Sequence, residues 1–127
     1  MNTLDISVVI STYNHPEWLQ KVLWSFKYQT FQNFEIVIAD DGSETETKKC
    51  IDAFAKAVSF PIKHVWHPDN GFQKTKILNK ALLQCDANYI LFTDGDCIAR
   101  ADFLQKHINQ SKKNNIGELA FRRIIKK

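Results

Sequence analysis

The sequence predicts an α/β fold built on a mainly parallel sheet. Short β-branched apolar runs alternate with segments whose apolar residues recur every three or four positions. Two of those runs, Ile6–Ile10 (ISVVI) and Phe34–Ala39 (FEIVIA), lack the in-out alternation of a half-exposed sheet and match strands covered on both faces. Polar clusters rich in Asp, Asn and Gly follow the runs, where βα turns are expected.

Taken in order, Ile6–Ile10 forms the first strand, and Pro16 opens a helix that carries Trp18, Leu19, Val22, Leu23 and Phe26 on one face. Phe34–Ala39 forms the second strand. Ser43 with Glu46 three residues on reads as a capping box for a helix striped by Ile51, Phe54, Ala55 and Val58. Ile62–Trp66 is the third strand, closed by His67-Pro68-Asp69-Asn70-Gly71, and a third helix spans about Phe72 to Cys85 with Ile77, Leu78, Ala81, Leu82 and Cys85 toward the sheet. Tyr89–Thr93 is the fourth strand. Asp102 is positioned to cap a helix from Phe103, and Lys112–Asn115 (KKNN) reads as its end.

A chain of 127 residues with 44% apolar composition fills one core, so residues 1–127 are read as a single domain. The net charge of +3 is too small to imply nucleic acid. It is unevenly spread: seven basic residues against Glu118 from Phe103 onward give +6 there, leaving −3 for the first 102 residues. A basic end of this kind, strongest from about residue 112, is either a solvated tail or a peripheral contact with an anionic membrane surface. Cys50, Cys85 and Cys97 are odd in number and widely spaced, which supports neither a disulfide framework nor a zinc site. The start lacks a secretory pattern, and no apolar run reaches the roughly 20 residues of a membrane span. The expected location is cytoplasmic, with the basic tail available to the inner face of the membrane.

Chemistry-bearing residues gather after the first, second and fourth strands, the edge where open α/β sheets hold ligands. Asp94 and Asp96, at i and i+2 on extended chain, project to one side and suit a hard divalent cation, or form a capped turn without one. Asp40-Asp41-Gly42-Ser43 is either an ordinary turn or a carboxylate offered to a ligand's N–H or hydroxyl groups. Tyr13 either stacks on a flat ring or packs on its helix. Gln73, Lys74, Lys76 and Lys80, near a helix N-terminus, suit phosphate or are solvated surface. The four histidines show no metal-ligand spacing and read as structural or surface groups. No nucleophile elbow, P-loop or G-x-G-x-x-G occurs.

Ser7-Val8-Val9-Ile10-Ser11-Thr12-Tyr13-Asn14, Gln29-Thr30-Phe31, Ile38-Ala39-Asp40-Asp41-Gly42-Ser43 and Asp94-Gly95-Asp96, in that order, resemble the N-terminal half of family 2 glycosyltransferases. The likeness runs from about Asp5 to His107, and Gly71–Ala81 is similar to bacterial members that build surface polysaccharide, including a galactosyltransferase-like group. The resemblance implies a GT-A, Rossmann-like three-layer domain cut short after the D-x-D. It implies inverting sugar transfer from a nucleotide-sugar donor, a UDP-sugar above all, to a glycan or lipid-linked acceptor. Ser11 and Tyr13 would flank the base, and Asp41 would accept a hydrogen bond from uracil, with Asp40 a second candidate beside it. Lys76 and Asn79 would help hold the nucleotide. Asp94 would lie near ribose and metal, and Asp96 would coordinate Mn²⁺ or Mg²⁺.

Two departures stand out. Leu78 occupies the place where many members carry Arg before the helix Asn. Members usually continue well past the D-x-D to supply the acceptor site and the general base, whereas Glu118 is the one acid here beyond Asp102, so the base is expected to be missing. A nucleotide-binding fragment or partner subunit without that base is the alternative expectation. A phosphatase of haloacid-dehalogenase type is the competing enzyme reading of Asp94-Gly95-Asp96, although that motif usually ends a first strand rather than a fourth.

Overall fold

The computed structural model describes residues 3–114. Most of the basic C-terminal segment, Glu118 included, lies outside the described residues. The elements alternate as read from sequence: β1 (Ile6–Thr12), α1 (Pro16–Lys27), β2 (Phe34–Asp40), α2 (Thr45–Lys56), β3 (Ile62–Trp66), α3 (Lys74–Leu82), β4 (Tyr89–Asp94) and α4 (Phe103–Asn114). Among the described residues the strands form one parallel sheet in the order β3-β2-β1-β4.

That order explains the burial. β1 and β2 are central, so their apolar runs are covered on both faces, and Val8, Val9, Ile36, Val37 and Ile38 are all fully buried. Even-numbered strand residues such as Ile6, Ile10 and Ile36 pack with Leu23 and Phe26 of α1, Ile51 and Phe54 of α2 and Leu104 of α4. Odd-numbered Val9 and Val37 pack with Ile77 and Ala81 of α3 on the other face. Right-handed crossovers require this split, because the chain steps one way from β1 to β2 to β3 and then back across the sheet to β4. The reversal opens a crevice at the carboxyl ends of β1 and β4.

The two predicted caps are replaced by tertiary hydrogen bonds. α2 starts at Thr45, and Ser43 does not cap it: the Ser43 hydroxyl accepts from the Asn14 backbone N–H at 2.8 Å, while Asn14 Oδ1 accepts from the Glu44 N–H at 2.7 Å. At α4, Gln29 takes the place assigned to Asp102. Its Oε1 accepts from the Leu104 N–H at 3.1 Å and its amide donates to the Arg100 carbonyl at 2.6 Å. The buried Gln29 thus ties the end of α1 to the chain that leaves the D-x-D. α3 is shorter than expected, Phe72 is exposed rather than helical, and Ala55 faces solvent.

One buried charge interrupts the apolar strand β2. The Glu35 side chain is fully buried; its carboxylate accepts from the Ser7 hydroxyl at 2.6 Å and the Asp86 N–H at 2.7 Å, and Lys63 Nζ lies 2.9 Å from its other oxygen. Burial alone pulls the Lys63 ammonium toward neutrality, but its bonds to Asp86 and Glu35 prevail and hold it above the ordinary lysine range.

Candidate functional site

A cleft of about 500 Å³ lies across the carboxyl edge of β1, β2 and β4. β1 delivers Ser11, Thr12 and Tyr13, β2 supplies Ala39 and leads to Asp41, and β4 ends in Asp94 and leads to Gly95 and Asp96. His15 and Trp18 at the start of α1, Asp69, Gly71 and Phe72 of the β3–α3 loop, and Lys74 and Ile77 of α3 complete the lining.

Asp40 and Asp41 part company at the end of β2. Successive residues point to opposite faces, and Asp40 turns inward, where Oδ1 accepts from the Ser43 N–H at 2.9 Å and Oδ2 meets His64 Nε2 at 2.8 Å. Asp40 therefore holds the turn together and does not line the cleft. Asp41 lines it. Its Oδ1 meets His67 Nε2 at 2.6 Å, and its Oδ2 accepts from the Gln73 N–H, at the N-terminus of α3, at 2.8 Å. Lys80 Nζ stands 3.3 Å from His67 Nδ1. An ammonium only donates, so the Lys80 contact matches the His67 tautomer that carries its hydrogen on Nε2, facing Asp41. Each Asp41 oxygen retains a lone pair for a ligand.

Tyr13 is half-exposed, and its hydroxyl donates to Asp69 Oδ2 at 2.6 Å. That bond, with the Asp69 charge, holds the phenol above its ordinary pKa, and the same bond, with the Gly71 N–H, holds the Asp69 carboxyl below its own. Asp69 Oδ1 accepts from the Gly71 N–H, closing a tight turn. Trp18, expected in the core, is 47% exposed and stacks on His15 with ring centroids 4.0 Å apart.

At the β4 edge, Asp94 Oδ1 accepts from the Ser11 hydroxyl at 2.7 Å and from Lys74 Nζ at 3.1 Å. These bonds, Ser11's first, keep the Asp94 carboxyl below the usual carboxylate range against the opposing effect of partial burial. Asp94, Asp96 and Cys97, all exposed, offer ligand atoms within 4.8 Å of one another. The Asp94 and Asp96 carboxylates provide the oxygen donors that a hard cation takes, leaving its remaining positions to water or phosphate, so the residues fit Mg²⁺ or Mn²⁺.

The cleft thus brings together Ser11, Tyr13, Asp41, Asp94 and Asp96 of the expected set. Lys76 and Asn79 sit on the exposed side of α3, off the cleft lining. Sequence reading missed Asp69, Trp18 and Phe72 as lining groups and the histidine partners of the two aspartates. The one available signal was the placement of His15 and Trp18, three apart on a helix that starts at the ligand edge.

The three thiols differ in environment. Burial, with the Glu35 carboxylate nearby, pushes Cys85 up to about 11; burial also raises Cys50, and Cys97 is exposed. Limiting iodoacetamide near pH 8 is expected to alkylate Cys97 first and Cys85 last, read by peptide mass spectrometry. Preferential labelling of Cys85 would contradict its placement.

Comparison with known proteins identifies the family and the fold. The family model for Glycosyl transferase family 2 matches residues 7–126. An uncharacterized glycosyltransferase, YfnE, of Bacillus subtilis is 33% identical over 104 residues, covering 80% of this chain and 26% of the relative. The validoxylamine A glucosyltransferase of Streptomyces hygroscopicus is 29% identical over 102 residues, covering 79% and 24%. Among solved structures, residues 1–349 of S. aureus TarS, in complex with UDP, align at TM-score 0.76 and 24% identity, over 87% of this chain and 32% of that one. The mannosyltransferase PcManGT of Pyrobaculum calidifontis, in complex with GDP-Man and Mn²⁺, aligns at TM-score 0.77 and 19% identity, over 86% and 32%. The chain spans about a quarter of the length of these curated relatives. With nearly its whole length matched by the family model and its sheet shared with solved GT-A enzymes, the chain belongs to glycosyltransferase family 2 and has the GT-A fold.

Proposed function

We propose that the cleft binds a nucleoside-diphosphate sugar, a UDP-sugar first, together with Mn²⁺ or Mg²⁺ at Asp94 and Asp96. In this reading the chain is the donor-binding part of an enzyme that transfers the sugar with inversion to a glycan or lipid-linked acceptor. Cell-surface polysaccharide synthesis at the cytoplasmic side of the membrane is the proposed setting; no helix among the described residues is long and apolar enough to cross one.

The observation that carries the reading is the convergence of an anchored carboxylate, Asp41, with the Asp94/Asp96 pair in one cleft at the sheet's reversal point. Uracil presents an N–H between two carbonyls, and the free lone pairs of Asp41 accept it; His67 and the Gln73 N–H fix the carboxylate's orientation beforehand. Tyr13, tethered by Asp69, offers a ring face for stacking. Asp94, held by Ser11, lies toward the ribose and diphosphate. When bound, the cation supplies Lewis-acid stabilisation of the negative charge on the departing nucleoside diphosphate.

Calorimetric titration of the chain with UDP, with and without Mn²⁺, tests this. Binding that strengthens with Mn²⁺ is expected, and Asp96→Asn is expected to weaken the metal-dependent binding about tenfold or more, at least 1.4 kcal/mol. Undiminished affinity in Asp96→Asn sinks the metal assignment. Well-folded chain that ignores UDP sinks the donor reading itself.

A further inference from the structure

Lys74 is the first residue of α3, and its ammonium is the cation paired with Asp94 Oδ1 at 3.1 Å. It lines the cleft, whereas Lys76 one residue beyond its neighbour does not. Asp94 is also one of the two carboxylates proposed to hold the metal. A lysine ammonium is a compact charge on a flexible stem, able to exchange one anionic partner for another within reach.

From this geometry we infer that Lys74 is the resident counter-ion of the empty cleft. It neutralises Asp94 until a divalent cation and a nucleoside diphosphate arrive together, then shifts to the diphosphate oxygens. The reason is electrostatic. A divalent cation entering at Asp94 and Asp96 meets the Lys74 charge already on Asp94, so the cation alone binds against repulsion. A diphosphate alone can draw Lys74 away only by leaving Asp94 uncompensated beside the incoming negative charge. When both arrive, the diphosphate accepts Lys74 and the metal takes its place on Asp94, and each ligand removes the other's penalty. Metal and nucleotide affinities are thereby coupled through one side chain, and the coupling is reciprocal. The Gln73 N–H beside it is committed to Asp41 and fixes the start of α3, and with it Lys74, in the cleft. This inference rests on the donor reading given above and adds the residue that links its two ligands.

The test uses the full chain and titrates Mn²⁺ alone, UDP with and without Mn²⁺, and uridine. Lys74 is partly exposed, so Lys74→Met should fold, and circular dichroism checks it. Lys74→Met is expected to bind Mn²⁺ alone several-fold more tightly, to lose about tenfold in UDP affinity with Mn²⁺ present, and to bind uridine as before. Lys74→Arg, which keeps the charge, is expected to retain the coupling. Mn²⁺ affinity and UDP-to-uridine preference that are unchanged in Lys74→Met, while the wild-type chain binds UDP, overturn this inference and leave the donor reading intact. A wild-type chain that binds neither UDP nor uridine overturns both.

Discussion

Lys63→Met is expected to cost about 3 kcal/mol of folding stability, although Lys63 lies at the far end of the sheet from the cleft. The variant leaves the Glu35 carboxylate fully buried with the Ser7 hydroxyl and the Asp86 N–H but without its cation. An uncompensated buried charge is expensive, and removing one partner of such a pair costs about 3–5 kcal/mol. The lower end applies because the Lys63 side chain is 31% exposed and part of its charge is already solvated. Glu35→Gln in the same chain is expected to recover most of the loss, because the amide oxygen still accepts from Ser7 and Asp86 while the charge is gone. Urea unfolding of the single and double variants measures both, and a single variant within about 0.5 kcal/mol of wild type would refute the account. The pH dependence has a definite sign. Lys63 is held above its unfolded range, so its contribution is complete at neutral pH and is lost only as pH rises through that elevated value.

Gly42→Ala is expected to reduce UDP affinity about tenfold or more and to destabilise the fold as well, by at least the roughly 1–2 kcal/mol that a left-handed residue costs. Gly42 has φ +90°, and a Cβ there would stand 2.5 Å from the Asp69 Cα, a backbone atom that cannot rotate aside. The β3–α3 loop would have to retreat. That retreat pulls Asp69 from Tyr13 and the Gln73 N–H from Asp41, dismantling the proposed base-binding side of the cleft. Gly71→Ala, also in the cleft lining, is the comparison: φ is +80° there too, but apart from its chain neighbours no atom lies within 4 Å of the added methyl, so the variant carries the backbone penalty without the clash. If both variants bind UDP equally well, the contact between the Asp41–Gly42 turn and Asp69 does not shape the site.

Much of the fold was legible because its signals are local. β-Branched runs at Ile6–Ile10 and Phe34–Ala39 lack alternation, and only a strand covered on both faces tolerates that. The helical stripes of α1 and α3 likewise named most of the residues that meet the sheet. The caps were not legible, because Gln29 and Asn14 act on helix starts that are distant in sequence or reached through a turn, and a nearby Ser or Asp looks sufficient on paper. Glu35 was hidden for the same reason: its partners come from β1, β3 and the α3–β4 turn.

By itself, then, the sequence determined the α/β class, the order of the elements and the edge where Ser11, Tyr13, Asp41, Asp94 and Asp96 would gather, since strand ends and residue types are properties of short stretches of chain. The tertiary structure decided which of two adjacent aspartates faces the cleft, that Lys74 rather than Lys76 reaches it, and that Asp69 and Trp18 help to line it. Those choices depend on the alternation of side chains past a strand's end and on which helix the crossover from β3 to β4 lays over the opposite face, and both are fixed only when the sheet assembles.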